Sequence, residues 1–283
     1  MVAQQLHEEG NTTAPLEKKT VIRAAKRVGL ELVRPIVAIQ RKPHKELTEE
    51  NMNLRIAFCQ ENLHTCWDNV MITDRKRFIF QYPGASVQPV QWMERGRRWE
   101  AHKVNHPQTV NVYGGLTIYG VTSLHEVTGT SKLSPNYKTK EGKRSKNITQ
   151  EEYRDVLTHT FLKEGHDFFK KHKVTSWRLQ QDNDMAHDDA LGTIRSWNRQ
   201  HTSFIGLIKG WPPNSPDFSP IENLWSLVQR RVDFRGCETF AYFRAAVHEE
   251  WARVSTEMAL SYIDSLHKRM AEGLEACGKM IKY

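Results

Sequence analysis

The stretch WPPNSPDFSPIENLWSLVQRR, from Trp211 to Arg231, combines a proline-rich segment with a helical pattern. Proline fixes its own φ angle and has no backbone N–H, so the segment before Ile221 cannot lie inside a helix. Pro220 suits the first helical position, with Ser219 as the N-cap residue. Apolar residues then follow the i, i+3, i+4, i+7 spacing of one buried helix face: Ile221, Leu224, Trp225 and Val228. The stretch predicts a rigid loop that leads into a half-buried helix.

One acidic residue, Glu222, lies in the first turn of this predicted helix. An acidic residue there usually interacts with the helix dipole and nothing more. Two aspartates favour a larger role, because Asp74 ends the apolar run 69–74 and Asp182 ends the alternating run 176–182. A second apolar run follows Asp74, so we predict that this residue lies in a turn between two strands. Three carboxylates delivered by two strand ends and a helix start can converge on one point.

The blocks around these acids resemble a known family. MITDRKRF (71–78), LQQDNDMAH (179–187) and WPPNSPDFSPIENLW (211–225) are similar to the three signature blocks of the mariner superfamily of DDE transposases, in the same order. The segment 113–120 and the C-terminal segment from 262 to the end resemble that family too, so the resemblance covers nearly the whole chain. It implies an α/β fold with a ribonuclease H-like mixed five-stranded sheet flanked by helices. Periodicity alone supports only the α/β class.

The resemblance also implies the chemistry. In the family's arrangement Asp74 would bridge two divalent metal ions, with Asp182 and Glu222 each holding one. Carboxylate oxygens suit hard ions such as Mg²⁺ or Mn²⁺. The implied reaction is metal-dependent cleavage of DNA at transposon ends, followed by attack of the freed 3′-hydroxyl on target DNA. Neighbours of the acids are candidate supporting residues, for which a local cap or turn hydrogen bond is an equally good explanation: Asn183, His187 and Asn223.

Composition favours a polyanionic partner such as double-stranded DNA. The chain has 41 Lys and Arg residues against 33 Asp and Glu residues, a net charge of +8 and a pI near 9.3. No apolar run is long enough to span a membrane, and the polar start lacks the apolar core of a signal peptide. We therefore expect an intracellular protein, in the nucleus if its host is eukaryotic. The four cysteines form no CxxC pair, so we expect buried free thiols and no zinc site.

Two domains are predicted: residues 1–47 as a partial helix-turn-helix DNA-binding region with a basic linker, and residues 48–283 as the catalytic domain. A basic amphipathic helix is expected over 20–28, with Val28 on its apolar face. The linker is expected from residue 30. The predicted DNA-binding residues are Arg23, Lys26, Arg27, Arg41 and Lys42. The family usually has two helix-turn-helix units, and this region has room for only the end of the second. A homodimer on DNA is expected because two transposon ends must be joined in one complex.

The remaining segments are predicted from periodicity and turn residues. Thr48 is expected to cap a helix over 49–63, and residues 131–147 are either a flexible basic loop or a DNA contact. A hairpin is predicted over 109–128, with its turn at Gly120. The other predicted elements are helices over 149–162, 188–200, 240–254 and 257–270, and a strand over 204–208.

Two departures from the family pattern bear on function. Arg75 stands where the family often has an acidic residue, and the segment between Asp182 and Glu222 is longer than is usual. Loops tolerate such insertions at little cost. The leading interpretation is an active transposase, since all three acids are present. The alternative is a domesticated or relict DNA-binding protein without catalytic activity. A general ribonuclease H-like nuclease is disfavoured, because the resemblance extends beyond the acids.

Overall fold

A computed structural model of the chain describes residues 18–33, 47–80, 91–95, 108–127, 148–201 and 204–282. The chain divides into two compact units. One comprises Met1–His44 with Gln81–Pro107, and the other comprises Lys45–Phe80 with Gln108–Tyr283. The predicted boundary at residue 47 stays a prediction. The candidate DNA contacts Arg41 and Lys42 and the basic loop 131–147 lie outside the described residues.

The first unit contains the predicted basic helix, α1, over Lys18–Arg27. The prediction for Val28 is wrong: this residue follows the helix end and its surface is 72% exposed. The predicted start of a linker at residue 30 is also wrong, because Leu30–Val33 forms a strand, β1, that pairs antiparallel with β3, Gln91–Glu94. A turn at Gly29, with a φ of +76°, connects α1 to β1, and such a φ suits glycine.

The second unit contains the remaining elements. Its strands are β2 (Val70–Ile79), β4 (Thr109–Thr117), β5 (Gly120–Val121), β6 (His125–Glu126), β7 (Ser176–Gln180) and β8 (Phe204–Leu207). Its α-helices are α2 (Glu49–Asn62), α3 (Gln150–Val156), α4 (Lys163–Lys171), α5 (Ala190–Gln200), α6 (Pro220–Phe234), α7 (Phe240–Ala252) and α8 (Thr256–Glu275). A π-helix over Leu157–Leu162 joins α3 to α4, and a 3₁₀ turn over Met185–His187 precedes α5.

These strands form one mixed, six-stranded sheet in the order β5-β4-β2-β7-β8, with β6 also paired to β4. The expected class, an α/β ribonuclease H-like sheet flanked by helices, is confirmed. The expected number of five strands is wrong by one. The second arm of the predicted hairpin is not continuous, because residues 122–124 leave the ladder between β5 and β6. Strands β2, β7 and β8 run parallel, and β4 runs antiparallel to β2.

Two apolar cores cover the two faces of the sheet. Because side chains alternate along a strand, Val70 and Ile72 of β2 point into one core and Met71 points into the other. The first core is completed by α2, α6, α7 and α8, and the second by α3, the π-helix, α4 and α5. The side chain of Asp74 therefore lies on the same face as Ile72, toward the first core.

Several helix predictions hold with small shifts of their ends. Thr48 caps α2 by accepting a hydrogen bond from the Asn51 backbone N–H at 3.2 Å. The predicted helix over 149–162 is instead α3 followed by the π-helix, a local change of hydrogen bonding that periodicity does not reveal. Helix α8 continues to Glu275, five residues beyond the predicted end.

No helix in the described part of the chain is long and apolar enough to cross a membrane. All four cysteines are free, as expected, but the expectation that they are buried holds only for Cys59. Cys66 and Cys277 are exposed and Cys237 is half-buried.

Candidate active site

Asp74 lies in the middle of a strand. The prediction of a turn there is wrong, because β2 continues to Ile79 and pairs with β4 along its whole second half, with Asp74 opposite Gly114. The basic residues 75–77 did not interrupt the strand because exposed and half-buried positions alternate along them. Asp74 therefore projects from a rigid central strand, which fixes its position better than a turn would.

Asp182 and Glu222 lie where the sequence predicts. Asp182 is the second residue after β7, the strand that runs parallel to β2. Glu222 is the third residue of α6, which begins at Pro220 with Ser219 in the N-cap position. The predicted apolar face of α6, from Ile221 to Val228, is fully buried. The Ser219 side chain makes no capping hydrogen bond, so the prolines and the buried face start this helix.

The three carboxylates line one cavity with a volume of about 410 Å³. The middle of β2, the end of β7 with the residues after it, the proline-rich loop and the first turn of α6 form its wall. Its lining residues are Thr73, Asp74, Gln180, Asp182, Asn183, Asp184, Trp211, Pro212, Pro213, Asn214, Ser215, Pro216, Ser219 and Glu222. The structure thus brings together the three acids and Asn183 from segments that are at least 39 residues apart in the sequence.

The acids interact electrostatically. Burial, together with the negative charge of Glu222 and that of Asp182, raises the pKa of Asp74 to about 7. The Trp225 indole donates a hydrogen bond to Asp74 Oδ2 at 2.9 Å, which acts in the opposite direction. At neutral pH this site therefore has a carboxyl group that is near its ionisation midpoint and is repelled by two others.

The pKa of Asp182 is shifted in the opposite direction to that of Asp74, because His187 interacts with Asp182. Burial alone would raise its pKa, but the hydrogen bond and charge of His187 hold the pKa of Asp182 below its usual value. His187 Nδ1 lies 3.0 Å from Asp182 Oδ1 and 3.1 Å from the Asp182 carbonyl oxygen. The His187 ring lies 3.8 Å from the Tyr153 ring, between their centroids, and is 8% exposed. His187 is therefore a fixed support for Asp182.

Two basic residues of β2 reach the site and were not predicted to do so. Lys76 Nζ lies 3.6 Å from Glu222 Oε2, and Arg75 Nη2 lies 3.7 Å from Asp184 Oδ2. The position of Lys76 could have been predicted from the sequence, because residues i and i+2 of a strand share a face and Lys76 is two residues after Asp74. The acids of the cavity are thus partly neutralised by side chains of the same unit.

A pair of tryptophans packs behind Asp74. Trp225 stacks on Trp251, with ring centroids 4.4 Å apart. Both rings lie against Gly114, where a Cβ atom would meet them at 2.7–2.8 Å. Only a residue without a side chain at position 114 lets the Trp225 indole reach Asp74. The sequence indicated that Trp225 belongs to the core, and the structure adds this polar contact.

The other supporting residues make structural contacts. Asn183 Nδ2 donates to the Trp211 carbonyl at 2.7 Å and so ties the proline-rich loop to the end of β7. Asn223 Oδ1 accepts a hydrogen bond from Arg269 Nη2 of α8 at 2.7 Å. Arg269 Nη1 also donates to the Asp217 carbonyl at 2.7 Å. Asn223 is thus part of a network that fixes the start of α6 beside Glu222.

A buried ion pair fixes the proline-rich loop that precedes α6. Arg55 of α2 and Asp217 are both fully buried and form two parallel hydrogen bonds, at 2.8 and 2.5 Å. Arg55 also donates to the carbonyls of Gly278 and Lys279, and the Ile281 N–H donates to Asp217 Oδ2 at 2.9 Å. Sequence periodicity has no signal for these contacts, because they join segments that are 64 or more residues apart.

The predicted DNA-binding residues of α1 lie in the other unit. Arg23, Lys26 and Arg27 are exposed, which suits a basic surface, and they are not among the residues that line the carboxylate cavity. Their role stays a prediction.

The carboxylate cavity suits a divalent metal by its donor chemistry. It offers carboxylate oxygens from three elements. Burial and the negative charges of the other two acids raise the pKa of Asp74, and a bound cation would offset that repulsion. Among the described residues, however, no three His, Cys, Asp or Glu side chains are close enough together to hold an ion as they stand.

Comparisons with known proteins agree with this geometry. No family model matches the chain. The transposable element Tc3 transposase of Caenorhabditis elegans is 24% identical over 272 residues, which cover 94% of this chain and 72% of that protein. The Tcb1 transposase of Caenorhabditis briggsae is 25% identical over 293 residues, covering 96% of this chain and 92% of that protein.

The catalytic domain of the Mos1 mariner transposase has a similar structure. The TM-score is 0.58 at 15% sequence identity, over 84% of this chain and 98% of that domain. At this identity the likeness shows a shared fold. The homologues of this chain are therefore transposases of the Tc1/mariner family, and its fold is that of the Mos1 ribonuclease H-like catalytic domain.

Proposed function

We propose that this protein is a DNA transposase that cuts DNA at transposon ends and joins the freed 3′-hydroxyl to target DNA. The observation that carries this proposal is the single cavity lined by Asp74, Asp182 and Glu222, in a chain whose homologues are cut-and-paste transposases. Mos1 structures described as a paired-end complex with Mn and as a strand transfer complex support the same reaction for that relative.

In this proposal the three carboxylates hold Mg²⁺ or Mn²⁺, two ions in each site. Such ions, when bound, polarise a phosphodiester and lower the pKa of the attacking water or hydroxyl. The rest of the cavity positions these ligands: Trp225 orients Asp74, His187 orients Asp182, and the Arg269 contact with Asn223 fixes the helix turn that carries Glu222. Lys76 balances the charge of Glu222 until the metal and the phosphate arrive.

The partners belong to the proposal as well. Joining two ends in one reaction requires both in one complex, so we propose a homodimer on DNA. The exposed basic residues of α1, with Arg41 and Lys42, would contact the duplex. A DNA substrate implies nuclear localisation where the host is eukaryotic.

Cleavage and strand-transfer assays test this function directly. The substrate would be a pre-nicked duplex that carries the ends flanking the coding sequence, in Mg²⁺ or Mn²⁺. Asp182→Asn and Glu222→Gln should each lower the rate by about 10³-fold or more, because each removes a charged metal ligand. Asp184→Asn is the matched control, since Asp184 lines the same cavity and is not a proposed ligand. It should retain most of the activity.

A second candidate function is DNA binding without cleavage. The observation in its favour is that no three potential ligands among the described residues are yet close enough together to hold a metal. If the parent protein binds these duplexes but never cuts them in Mg²⁺ or Mn²⁺, this second function becomes the better account.

A further inference from the structure

A second groove, remote from the carboxylates, lies where the end of α6 meets the end of α7. It has a volume of about 620 Å³ and is lined by four arginines, one phenylalanine and one glutamate: Arg230, Arg231, Phe234, Arg235, Glu250 and Arg253. We refer to it as the arginine groove. Its lining has an excess of positive charge, so an anionic ligand fits it.

Two of the arginines are held in place. Glu250 is 4% exposed and accepts hydrogen bonds at 2.8 Å from Arg235 Nε and from Arg253 Nη1. Glu249 also accepts a hydrogen bond from Arg235 Nη1, at 2.6 Å. A guanidinium has five N–H donors, so Arg253, whose side chain is 63% exposed, keeps donors for a ligand. Because these contacts fix the guanidinium groups before a ligand arrives, binding of the ligand costs less conformational entropy.

The other two arginines are uncommitted. Arg230 is exposed, Arg231 is half-buried, and the described part of the chain provides neither with an ion pair. They lie one helical turn before Phe234, whose side chain contributes nothing to the core and is 94% exposed. A single exposed apolar residue needs no explanation by itself. A fully exposed aromatic ring among four guanidinium groups is the composition of a site for unpaired nucleotides.

We propose that the arginine groove binds a single-stranded DNA segment, with an unpaired base stacked on Phe234 and the adjacent phosphates on the arginines. Every base has a π-face that can stack on an aromatic side chain, and phosphate oxygens match the planar guanidinium fork. Phe234 lies twelve residues along α6 from Glu222, about 18 Å at 1.5 Å per residue. A single strand a few nucleotides long can span this distance between the groove and the reacting phosphate.

Only this link to a reacting phosphate rests on the proposed transposase function. The binding claim itself concerns a different surface and needs no cleavage. Failure of catalysis and failure of this groove are therefore distinguishable by separate measurements.

Fluorescence anisotropy with the full chain in EDTA tests the groove. The probe is a labelled thymidine 12-mer, compared with a 12-base-pair duplex. Phe234→Ala should weaken binding of the single strand about tenfold or more, because stacking of one base contributes that much. The matched control is Phe204→Ala, which removes another phenylalanine, 67% exposed, from a different surface of the same unit. Its affinity should equal that of the parent.

The arginines are tested by salt dependence. Arg230→Gln combined with Arg231→Gln should reduce the slope of log K against log salt for the single strand by about 1.4, or about 0.7 for each phosphate that is no longer neutralised. Arg195→Gln combined with Arg199→Gln removes two exposed arginines from α5 and should leave the slope unchanged.

Three results would overturn the proposal. The first is a Phe234→Ala protein that binds the 12-mer as tightly as Phe204→Ala does. The second is a loss of duplex binding with no loss of single-strand binding, which would make the groove a duplex contact. The third is a change in oligomeric state in Phe234→Ala, seen by light scattering with DNA affinity unchanged, which would make this face a protein interface. Far-ultraviolet circular dichroism confirms that each variant is folded.

Discussion

At the scale of single residues, the site is a balance between the repulsion of three carboxylates and the side chains that hold them in place. Asp74, Asp182 and Glu222 repel one another, whereas Trp225, His187 and Arg269 hold their backbones and side chains in place. Such a site is under electrostatic strain until a cation enters it. This strain has measurable consequences for stability.

The pKa of Asp74 predicts how stability depends on pH without metal. The folded protein keeps a proton on Asp74 up to about pH 7, while the unfolded chain loses it near pH 3.8. The folded state therefore binds more protons between these values, and the free energy of unfolding falls as pH rises from about 4 to about 7. Above pH 7 the loss is complete. We expect it to be roughly 2 kcal/mol, because each pKa unit corresponds to about 1.4 kcal/mol and solvent reduces the effect.

Urea unfolding in EDTA at pH 4.5 and pH 8 measures this loss. Asp74→Asn cannot ionise, so it should lose less stability between the two pH values and should be more stable than the parent at pH 8. Addition of Mn²⁺ at pH 8 should stabilise the parent and not this variant. Equal pH dependence in the two proteins would contradict the assigned repulsion.

Arg269 provides a second prediction at this scale. Because it donates to the Asp217 carbonyl and to Asn223 Oδ1, we expect Arg269→Gln to lower kcat about tenfold or more at saturating DNA and to raise the Mn²⁺ concentration needed for activity. KM for DNA should change little. Arg269→Lys keeps the charge but not the planar fork, so it should rescue part of the loss.

The neighbouring Lys268→Gln serves as the control, since the Lys268 side chain is 79% exposed. It should behave as the parent does. If Arg269→Gln lost activity only in proportion to its unfolded fraction, with an unchanged metal requirement, Arg269 would be a merely structural residue.

At the scale of secondary structure, the arrangement of strands and helices brings the three carboxylates to one place. A central strand carries Asp74, Asp182 is the second residue after the parallel strand beside it, and a helix start carries Glu222. Both Asp74 and Asp182 lie two residues beyond the last positions at which β2 and β7 pair, so the first two acids converge by topology. The third converges because Asn183 and Arg269 fasten the proline-rich loop and the first turn of α6.

The close packing at Gly114 gives a prediction at this scale. A methyl group there would meet the rings of Trp251 and Trp225 at 2.7–2.8 Å, and both rings are buried. We expect Gly114→Ala to destabilise the protein by about 1–3 kcal/mol and to displace the Trp225 indole from Asp74. Urea unfolding measures the first effect and the cleavage assay measures the second.

Gly206→Ala is the matched control for this substitution. Gly206 also lies in a strand, and an added methyl group there meets only Arg178 Cγ, at 3.6 Å, an ordinary contact distance. It should change stability by less than about 1 kcal/mol. Equal losses of stability in Gly114→Ala and Gly206→Ala would show that the tryptophan pair moves aside for the added methyl group.

The spacing of apolar residues predicted the helices and strands well where one face of the element is buried. The i, i+3, i+4, i+7 face of α6 is buried as expected, and the alternation of β7 places Trp177 and Leu179 in one core. The prediction of a turn at Asp74 failed because residues 75–77 are polar on both faces at a strand that emerges from the core. Pairing with β4 overrode that local pattern.

The contacts that position the site could not be predicted from the sequence. The alternation of side chains along β2 could have placed Lys76, but Arg55, Arg269 and Gly114 act on partners 46 or more residues away, and nothing local encodes such partners. The predicted strand ends and helix start singled out the three carboxylates as candidates, and the family resemblance gave them their expected roles. A charged residue in a helix is usually a solvated surface residue, and burial of Arg55 contradicts that expectation.

At the scale of the whole molecule, the catalytic unit is closed by contacts between its two ends. Arg55 comes from its first helix, Ile281 comes from its last residues, and both bind Asp217 in the loop before α6. The Arg55 guanidinium also lies 3.9 Å from the centroid of the Phe218 ring. Folding of the loop that precedes Glu222 is thus coupled to docking of the C-terminal segment.

A double-mutant cycle on Arg55 and Asp217 tests this closure. Arg55→Met leaves a buried carboxylate without its partner, and Asp217→Asn leaves a buried guanidinium, so each should cost about 3–5 kcal/mol. The double variant leaves no unpaired charge. It should therefore be no less stable than either single variant, which gives a coupling energy of at least about 2 kcal/mol by urea unfolding.

A cycle on the exposed pair Lys268 and Glu272, with Lys268→Met and Glu272→Gln, provides the comparison. Its coupling should be below about 0.5 kcal/mol, because solvent screens a surface pair within a helix. If the double variant instead loses as much stability as the two single variants at Arg55 and Asp217 together, the two charges do not depend on each other. The C-terminal segment and α2 would then hold the loop by packing alone, and a chain that ends at Gly278 would keep the full stability of the parent. With strong coupling, that shortened chain lacks the Lys279 carbonyl and the Ile281 N–H of the network, and it should unfold at a lower urea concentration.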